Sequence, residues 1–241
     1  MLKIAATAIR DLHKGNVNQF LASGITLFNG ISNLLSQQFQ RLSALQNQVM
    51  SWLSIHRESI SLTELHSVFV PSLSKLKLME VLESLLRQNL IERDRNGFTQ
   101  QPVVMEYVTE QLIELIHQEI ITKSPQYLLT HALVQAQAKD YIRDSQIQLI
   151  VQPILQQLQS TLGDTHQVEH KLGRVIASLQ NAVTTIPDNY GGANLIHLLA
   201  HLGNDLTGYN FSKRSVTVTC DRLNCIELTL LKPPFSNVFL H

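Results

Sequence analysis

Hydrophobic residues in the first part of the chain recur three and four positions apart, which is the spacing of one face of an α-helix. This pattern predicts helices from Lys3 to Leu12 and from Gly30 to Arg41. Another helix is expected to begin at Ser43, because the Ser43 hydroxyl and the Gln46 amide can pair with backbone N–H groups that a first helical turn leaves free. Its buried face is then formed by Leu45, Val49, Trp52 and Leu53.

Two further helices and a hairpin are predicted before residue 101. Ser61 and Glu64 form a second capping box, and Ser74 is expected to cap a helix with leucines at positions 78, 82, 85 and 86 on one face. An Asn-Gly step at Asn96 then separates two short segments, which is typical of a β-hairpin. Three helices followed by a hairpin is the winged-helix order, so a winged-helix domain is predicted for residues 42–101.

Helical spacing continues beyond the hairpin, and residues 102–187 are interpreted as a helical linker domain. Pro102 suits the first turn of a helix. From Tyr127 to Leu162 the pattern is helical throughout, and a kink or split is expected at Pro153. Because apolar residues occupy more than one face of this segment, we expect it to lie in the core; docking onto a partner domain is the alternative.

The C-terminal part changes character. A helix is expected from Thr165 to Val183, followed by a linker from Pro187 to Gly192 and a short helix from Ala193 to Leu202. Apolar residues then recur every five positions at 206, 211, 216, 226 and 231, which predicts a short irregular or β tail resembling five-residue repeats. The fold class is therefore mainly α, with a winged-helix domain flanked by helical segments. The predicted domains are 1–41, 42–101, 102–187 and 188–241.

Composition sets a few limits on function. The 241 residues are 44% hydrophobic, which is enough to bury a core. Lys+Arg and Asp+Glu each total 19, so no net charge attracts nucleic acid, and we do not expect it as a partner. Two cysteines are too few for a secreted disulfide framework, and no signal-peptide pattern or apolar run of about 18 residues is present. A cytoplasmic protein without a membrane span is expected.

Five segments carry a family resemblance and cover most of the sequence up to about Ser212. They are MLKIAATAIRDL, FQRLSALQNQVMSWLSIHRESISLTEL, LIERDRNGFTQQPVVMEYVTEQLIELIHQEI, HALVQAQAKDYIRDSQIQLI and NYGGANLIHLLAHLGNDLTGYNFS. Together they resemble the bacterial NB-ARC (STAND-type) signalling ATPases with C-terminal WD repeats. In that family a P-loop domain is followed by a small helical subdomain, a winged helix, a helical linker and a repeat sensor. The resemblance implies that residues 1–41 are a remnant of the helical subdomain.

The sequence departs from this family at the nucleotide site. A P-loop needs Gly-x-x-x-x-Gly-Lys-Ser/Thr to cradle phosphates, and no such run occurs. The family places a His-Asp pair after the hairpin, where the His reaches the nucleotide; the matching positions are Gln101 and Pro102. WD repeats are also missing. We therefore expect no cofactor, no catalytic residue and no ATP hydrolysis by this chain alone, as in a split or truncated relative.

One spacing suggests a metal site. His197, His201 and Asp205 lie four residues apart and would share a helix face as metal-ligand candidates. A zinc hydrolase of the His-Glu-x-x-His type also needs Glu at 198, where the chain has Leu198. We predict satisfied or surface histidines here, and no metal. His166 repeats the spacing with a second histidine at 170 on a polar face.

The third helix of a winged helix commonly enters the major groove of DNA. Here its exposed face is expected to carry Lys77, Glu80, Ser84 and Arg87, with Glu83 nearby. Carboxylates on that face repel DNA phosphates. A packing module is therefore favoured over a DNA-binding one.

The leading hypothesis is a non-catalytic regulatory and protein-interaction module of a nucleotide-switched signalling protein. It would transmit conformational state between a P-loop ATPase domain and a repeat-type sensor, which are the expected protein partners. A winged-helix DNA-binding regulator is the first alternative. The second is a metal-dependent hydrolase that uses His197, His201 and Asp205.

Overall fold

The computed structural model describes residues 24–181 and 189–203. These residues are mainly helical, which confirms the prediction of a mainly α fold. In chain order the elements are α1 (Gly24–Phe39), α2 (Ala44–His56), α3 (Leu62–Ser67), α4 (Lys75–Arg87), β1 (Glu92–Arg93), β2 (Phe98–Thr99), α5 (Pro102–Thr122), α6 (Tyr127–Thr130), α7 (Asp140–Gln146), a π-helix (Ile147–Val151), α8 (Gln152–Leu162), α9 (Thr165–Asn181) and α10 (Gly191–His201). The predicted helix from Lys3 to Leu12 lies outside the described residues, and so does the C-terminal tail that resembles five-residue repeats.

Both predicted capping boxes are present. At the start of α2 the Ser43 N–H donates to Gln46 Oε1 at 2.8 Å, and the Gln46 N–H donates to Ser43 Oγ at 3.2 Å. At the start of α3 the Ser61 N–H donates to Glu64 Oε2 at 3.0 Å, and the Glu64 N–H donates to Ser61 Oγ at 3.2 Å. These local hydrogen bonds fix where the two helices begin.

The predicted hairpin follows α4. Strands β1 and β2 pair antiparallel with Arg93 opposite Phe98, and Ile60 forms an isolated bridge to Phe98 from before α3. Asp94 Oδ1 accepts the backbone N–H groups of Asn96 and Gly97 in the turn. The order of three helices and a hairpin is thus as predicted, while its assignment to the winged-helix family stays a prediction.

The prediction of continuous helix from Tyr127 to Leu162 is wrong for residues 131–139. Helix α6 ends at Thr130, and α7 begins at Asp140. The intervening backbone is held by distant side chains instead of by helical bonds: the Leu133 N–H donates to Asn194 Oδ1, and the Gln135 N–H donates to Gln146 Oε1, each at 2.9 Å. The apolar pattern in this segment reflects burial in a non-helical conformation.

The predicted irregularity at Pro153 takes the form of the π-helix that precedes it. The Gln152 N–H donates to the carbonyl of Ile147, five residues back, and helix α8 continues through Pro153. Proline has no N–H, and its ring crowds the carbonyl four residues earlier. A wider π turn just before the proline is a common way to accommodate such a defect.

Helix α10 begins earlier than predicted, so the linker prediction is wrong for its last two residues. Gly191 and Gly192 are buried in the first turn of α10. A Cβ atom on Gly191 would lie 2.6 Å from Leu129 Cδ2, so glycine permits close packing of α10 against α6. We call residues 42–101 the hairpin unit. The hydrophobic core runs without a break from the hairpin unit into the helices that follow residue 101, with Trp52 of α2 buried within it.

Candidate functional site

Helix α2 lies at the centre of the fold. Seven consecutive residues from Val49 to Ile55 are buried, including Ser51 and Ser54. A helix buried on every side contacts neighbours all round its circumference. It is therefore in contact both with the rest of the hairpin unit and with the helices that follow residue 101.

Three side chains from other segments donate hydrogen bonds to backbone carbonyls of α2. Gln100 Nε2, just after β2, donates to the Met50 carbonyl at 2.9 Å. His131 Nε2 contacts the Gln48 carbonyl at 3.2 Å, and Gln146 Nε2 donates to the Ile55 carbonyl at 2.8 Å. We name His131, Gln146 and Gln100 the α2 polar contacts.

His131 is completely buried between aromatic rings. Its ring stacks on Tyr127 with centroids 5.0 Å apart and an interplanar angle of 13°, and it lies 5.0 Å from the Trp52 ring. Burial lowers the pKa of His131 to about 4, because the charged ring would lose its hydration. The imidazole is therefore neutral at neutral pH, and its Nε2–H donates to the Gln48 carbonyl, which can only accept.

Asn194 of α10 holds the segment that contains His131. Its Nδ2 donates to the carbonyls of Leu128 and His131 at 2.8 and 2.7 Å, and its Oδ1 accepts the Leu133 N–H at 2.9 Å. Asn194 is 1% exposed, and these bonds satisfy both ends of its amide. The non-helical segment after α6 is thereby fixed against both α2 and α10.

Trp52 joins the same elements through apolar contacts. Its ring centroid lies 6.5 Å from that of Phe69, after α3, and 5.5 Å from that of Tyr190, before α10. The Tyr190 hydroxyl donates to the Val68 carbonyl at 3.0 Å. The hairpin unit and α10 are therefore connected through both rings and a hydrogen bond.

An ion pair between a buried arginine and an exposed glutamate lies at the end of α2. Arg57 has a left-handed backbone (φ 65°), and its Nη1 donates to Glu106 of α5 at 3.2 Å. The Arg57 side chain is 7% exposed, and burial lowers the pKa of its guanidinium, while Glu106 raises it to a smaller extent. This pair adds a charged contact between the hairpin unit and α5.

The positions that match the family's nucleotide-sensing pair have structural roles. Gln101 is the N-cap residue of α5, and its Nε2 donates to Glu92 Oε1 of the hairpin at 2.6 Å. Pro102 occupies the first turn of α5, as predicted. The two residues join the hairpin to α5, and the expected lack of a cofactor stays a prediction.

The metal-ligand candidates are only partly within the described residues. The rings of His197 and His201 lie parallel, with centroids 6.3 Å apart, and Asp205 lies outside the described ranges. Burial lowers the pKa of His197 to about 4, with a smaller effect from His201, whose own pKa is also lowered by burial. Within residues 24–181 and 189–203 no three His, Cys, Asp or Glu side chains group as metal ligands.

The outer face of α4 mixes charged and apolar side chains. Lys77, Glu80 and Glu83 are exposed, whereas Ser84 accepts a hydrogen bond from Gln46 Nε2 of α2 at 3.2 Å. Arg87, also exposed, lies 3.9 Å from Glu83. The sequence analysis missed two exposed apolar residues here, which lie three positions apart: Leu76 and Met79, 69% and 43% exposed.

Sequence reasoning also missed the α2 polar contacts and Asn194. For His131 and Asn194 a signal was present, since each is a polar residue inside a mainly apolar stretch, whereas Gln100 and Gln146 have polar neighbours and gave no such signal. Such residues are buried at low cost only when they are hydrogen-bonded. Their partners, however, lie far away in the sequence.

One curated relative is similar over most of the chain. An uncharacterized WD repeat-containing protein of Nostoc sp. (strain PCC 7120) is 40% identical over an alignment 251 positions long, gaps included, which covers 89% of this chain and 20% of that protein. The chain therefore spans about a fifth of the relative's length. No family model and no solved structure matches the chain. None of the helices in the described ranges has the length and apolar character needed to cross a membrane.

Proposed function

We propose that this chain is a non-catalytic, protein-interaction module of a nucleotide-switched signalling protein. Its winged helix, residues 42–101, contacts a P-loop ATPase domain, and the helices after residue 101 carry the state of that domain to a WD-repeat sensor. The NB-ARC-like segments and the similarity to a WD repeat-containing protein support this placement. The observation that carries the proposal is that two of the α2 polar contacts, those of His131 and Gln146, join the hairpin unit to the helices that follow residue 101.

These contacts resist relative movement of the two parts. Pulling His131 or Gln146 away from α2 would leave buried carbonyls and side-chain donors unpaired, at about 1–3 kcal/mol for each buried group. A displacement of the hairpin unit is therefore transferred to α7 and α10. Transfer of state between two partners needs such a physical connection.

The outer face of α4 supplies the contact for the ATPase domain. Leu76 and Met79 expose apolar surface among charges of both signs, including Lys77 and Glu80. Exposed apolar residues within a polar rim are typical of protein contacts. The carboxylates of this face disfavour the DNA-binding alternative.

Binding experiments with segments of the Nostoc relative test the proposal. Its segments before and after the aligned region are purified and titrated with this chain by calorimetry. We expect the preceding segment to bind, and the Leu76→Glu/Met79→Glu double variant to weaken binding about tenfold or more. Leu115→Glu, at another exposed leucine, is the matched control and leaves binding unchanged. Absence of binding to either segment, or equal binding by the double variant, overturns the proposal.

Two assays separate the alternatives. ATP turnover by the purified chain is expected to equal that of a heat-inactivated sample, and turnover above that level contradicts a non-catalytic role. Duplex DNA is expected to show no salt-dependent mobility shift with the chain. A shift that decreases steeply with salt would favour the DNA-binding regulator.

A further inference from the structure

The outer face of the π-helix and α8 carries no charged residue. From Ser145 to Gly163 the sequence contains no Asp, Glu, Lys or Arg, although 16% of the whole chain is charged. Four residues of this stretch follow one another at helical spacing and therefore share one side of the helix: Leu149, Pro153, Gln156 and Ser160. Leu149 is 42% exposed, Pro153 is half-buried, and the other two are exposed. We name these four residues the uncharged face.

Helices α4, α5 and α9 differ from this face, because they expose charged side chains. The exposed charged residues include Lys77 and Glu83 of α4, Glu110 and Glu114 of α5, and Arg174 of α9. Charged side chains are the usual covering of a helix face that stays in water. Protein interfaces, by contrast, are depleted of Lys, Glu and Asp at their centres. The composition of the uncharged face is therefore that of a protein contact.

The surface around the uncharged face is shallow. Pro153, Gln156 and Ser160 line an open groove between α5 and α8, with Glu114 on the α5 side. Small-molecule sites enclose most of their ligand, whereas an open surface of this kind suits a second protein surface. A partner that covers the face must present apolar and neutral polar groups, because a charge buried there would lose its water without gaining an opposite charge.

The course of the chain favours a domain that follows α10 as this partner. Helix α10 is the last described element, and it packs against the π-helix. A domain attached after α10 is therefore tethered to an element that contacts the π-helix. The WD repeat-containing relative extends well beyond the region that this chain covers, which is 20% of its length. A tethered domain binds at a high effective concentration, so a contact of modest area is sufficient.

We propose that the uncharged face is the surface on which the WD-repeat sensor docks. This inference rests on the function proposed above and adds the place at which the state of the hairpin unit reaches the sensor. Gln146, which donates to the Ile55 carbonyl of α2, lies immediately before the π-helix. A displacement of α2 therefore reaches Leu149 within one helical turn. Docking at this face connects the sensor to the α2 polar contacts through a single helix.

Substitutions that place charges on the face test this proposal. The Leu149→Glu/Gln156→Glu double variant would bury unpaired carboxylates in the contact. It should weaken calorimetric binding of the segment that follows the aligned region of the Nostoc relative about tenfold or more. Gln111→Glu/Leu115→Glu, at two exposed positions of α5, is the matched control and should bind like wild type, since Leu115 and Leu149 are 41% and 42% exposed. All three proteins should bind the preceding segment equally, which also shows that the variants are folded.

The results distinguish a failure of this inference from a failure of the proposed function. If the following segment binds wild type and the Leu149→Glu/Gln156→Glu variant equally, the uncharged face is not the docking surface, while the proposed function stands. If that segment does not bind wild type, transmission to the sensor is itself wrong, and the docking surface fails with it. Sedimentation that shows a dimer of wild type and a monomer of the variant would assign the face to a second copy and contradict the proposal.

Discussion

The side-chain amide of Gln146 donates to the backbone carbonyl of Ile55 at 2.8 Å, across a separation of 91 residues in the sequence. Ile55 lies in the last turn of α2, where carbonyls have no helical donor. Gln146 therefore caps the C-terminal end of α2 from a distant helix. Its Oε1 accepts the Gln135 N–H at 2.9 Å, so the same fully buried side chain also fixes the segment before α7.

Replacing Asn194 with alanine should destabilise the protein substantially. The Leu133 N–H and the carbonyls of Leu128 and His131 would lose their partners. Each buried unpaired group costs about 1–3 kcal/mol, and water that enters the space offsets part of this cost. We therefore expect the free energy of unfolding to decrease by about 3 kcal/mol. Urea unfolding followed by circular dichroism measures it.

The control for this substitution is Gln148→Ala, at an exposed position of the π-helix. It should change stability by less than about 0.5 kcal/mol. If Asn194→Ala is as mild as this control, the segment after α6 does not depend on Asn194.

Acid should weaken the fold through His131. Its pKa is about 4 in the folded chain and 6.5 in the unfolded chain, so the folded state favours the neutral ring. The contribution of the neutral His131 ring to the free energy of unfolding is complete above pH 6.5 and is lost as pH falls towards 4. Proton linkage therefore gives a decrease of about 2 kcal/mol in the free energy of unfolding between pH 7.5 and pH 5.

A substitution at His131 distinguishes its effect on the pH dependence of stability from the effects of other titrating groups. His197 acts in the same direction, while Glu119 acts in the opposite one, because burial raises the pKa of its carboxyl. His131→Phe keeps a ring in place, so the pH-dependent loss should shrink by about 2 kcal/mol in that variant. His166→Phe, at an exposed position, should retain the wild-type slope. Equal slopes in all three proteins would contradict a neutral buried His131.

Gly97→Ala should disrupt the hairpin. Gly97 has φ +149°, and a Cβ atom there would lie 2.0 Å from the Ile60 carbonyl oxygen. Because the obstacle is backbone, the bridge between Ile60 and Phe98 must shift, at an expected cost of about 2–4 kcal/mol.

Asn96→Ala provides the comparison for Gly97, because its backbone N–H still donates to Asp94. Thermal unfolding should show a clearly lower midpoint for Gly97→Ala than for Asn96→Ala. Equal midpoints would mean that the turn opens at little cost and that the contact with Ile60 is dispensable.

Features encoded within a few residues could be predicted from the sequence. The two capping boxes, at Ser43 and Ser61, and the turn at Asn96 depend on hydrogen bonds between near neighbours. The prediction that most apolar residues from Tyr127 to Leu162 are buried is also confirmed, although Tyr141 and Leu149 are 53% and 42% exposed. Local chemistry determines these features, whatever the rest of the chain does.

Features that depend on distant partners could not be predicted. The non-helical segment around Leu133 is held by Asn194, 61 residues away. The contact between His117 of α5 and Thr161 of α8 needs these two helices to lie side by side, which periodicity does not reveal. The sequence does not predict whether Leu76 is buried or exposed, because a helix of mixed composition can pack in several ways.

Native-state hydrogen exchange of wild type and Gln146→Ala tests most directly whether α2 joins the two parts into one unit. Amides of α4 and α8 should open with the same free energy in wild type, and Gln146→Ala should lower both by the same amount, about 2 kcal/mol. If α4 loses protection while α8 keeps it, or α8 alone responds, the two parts open independently and the proposed transmission through α2 is wrong.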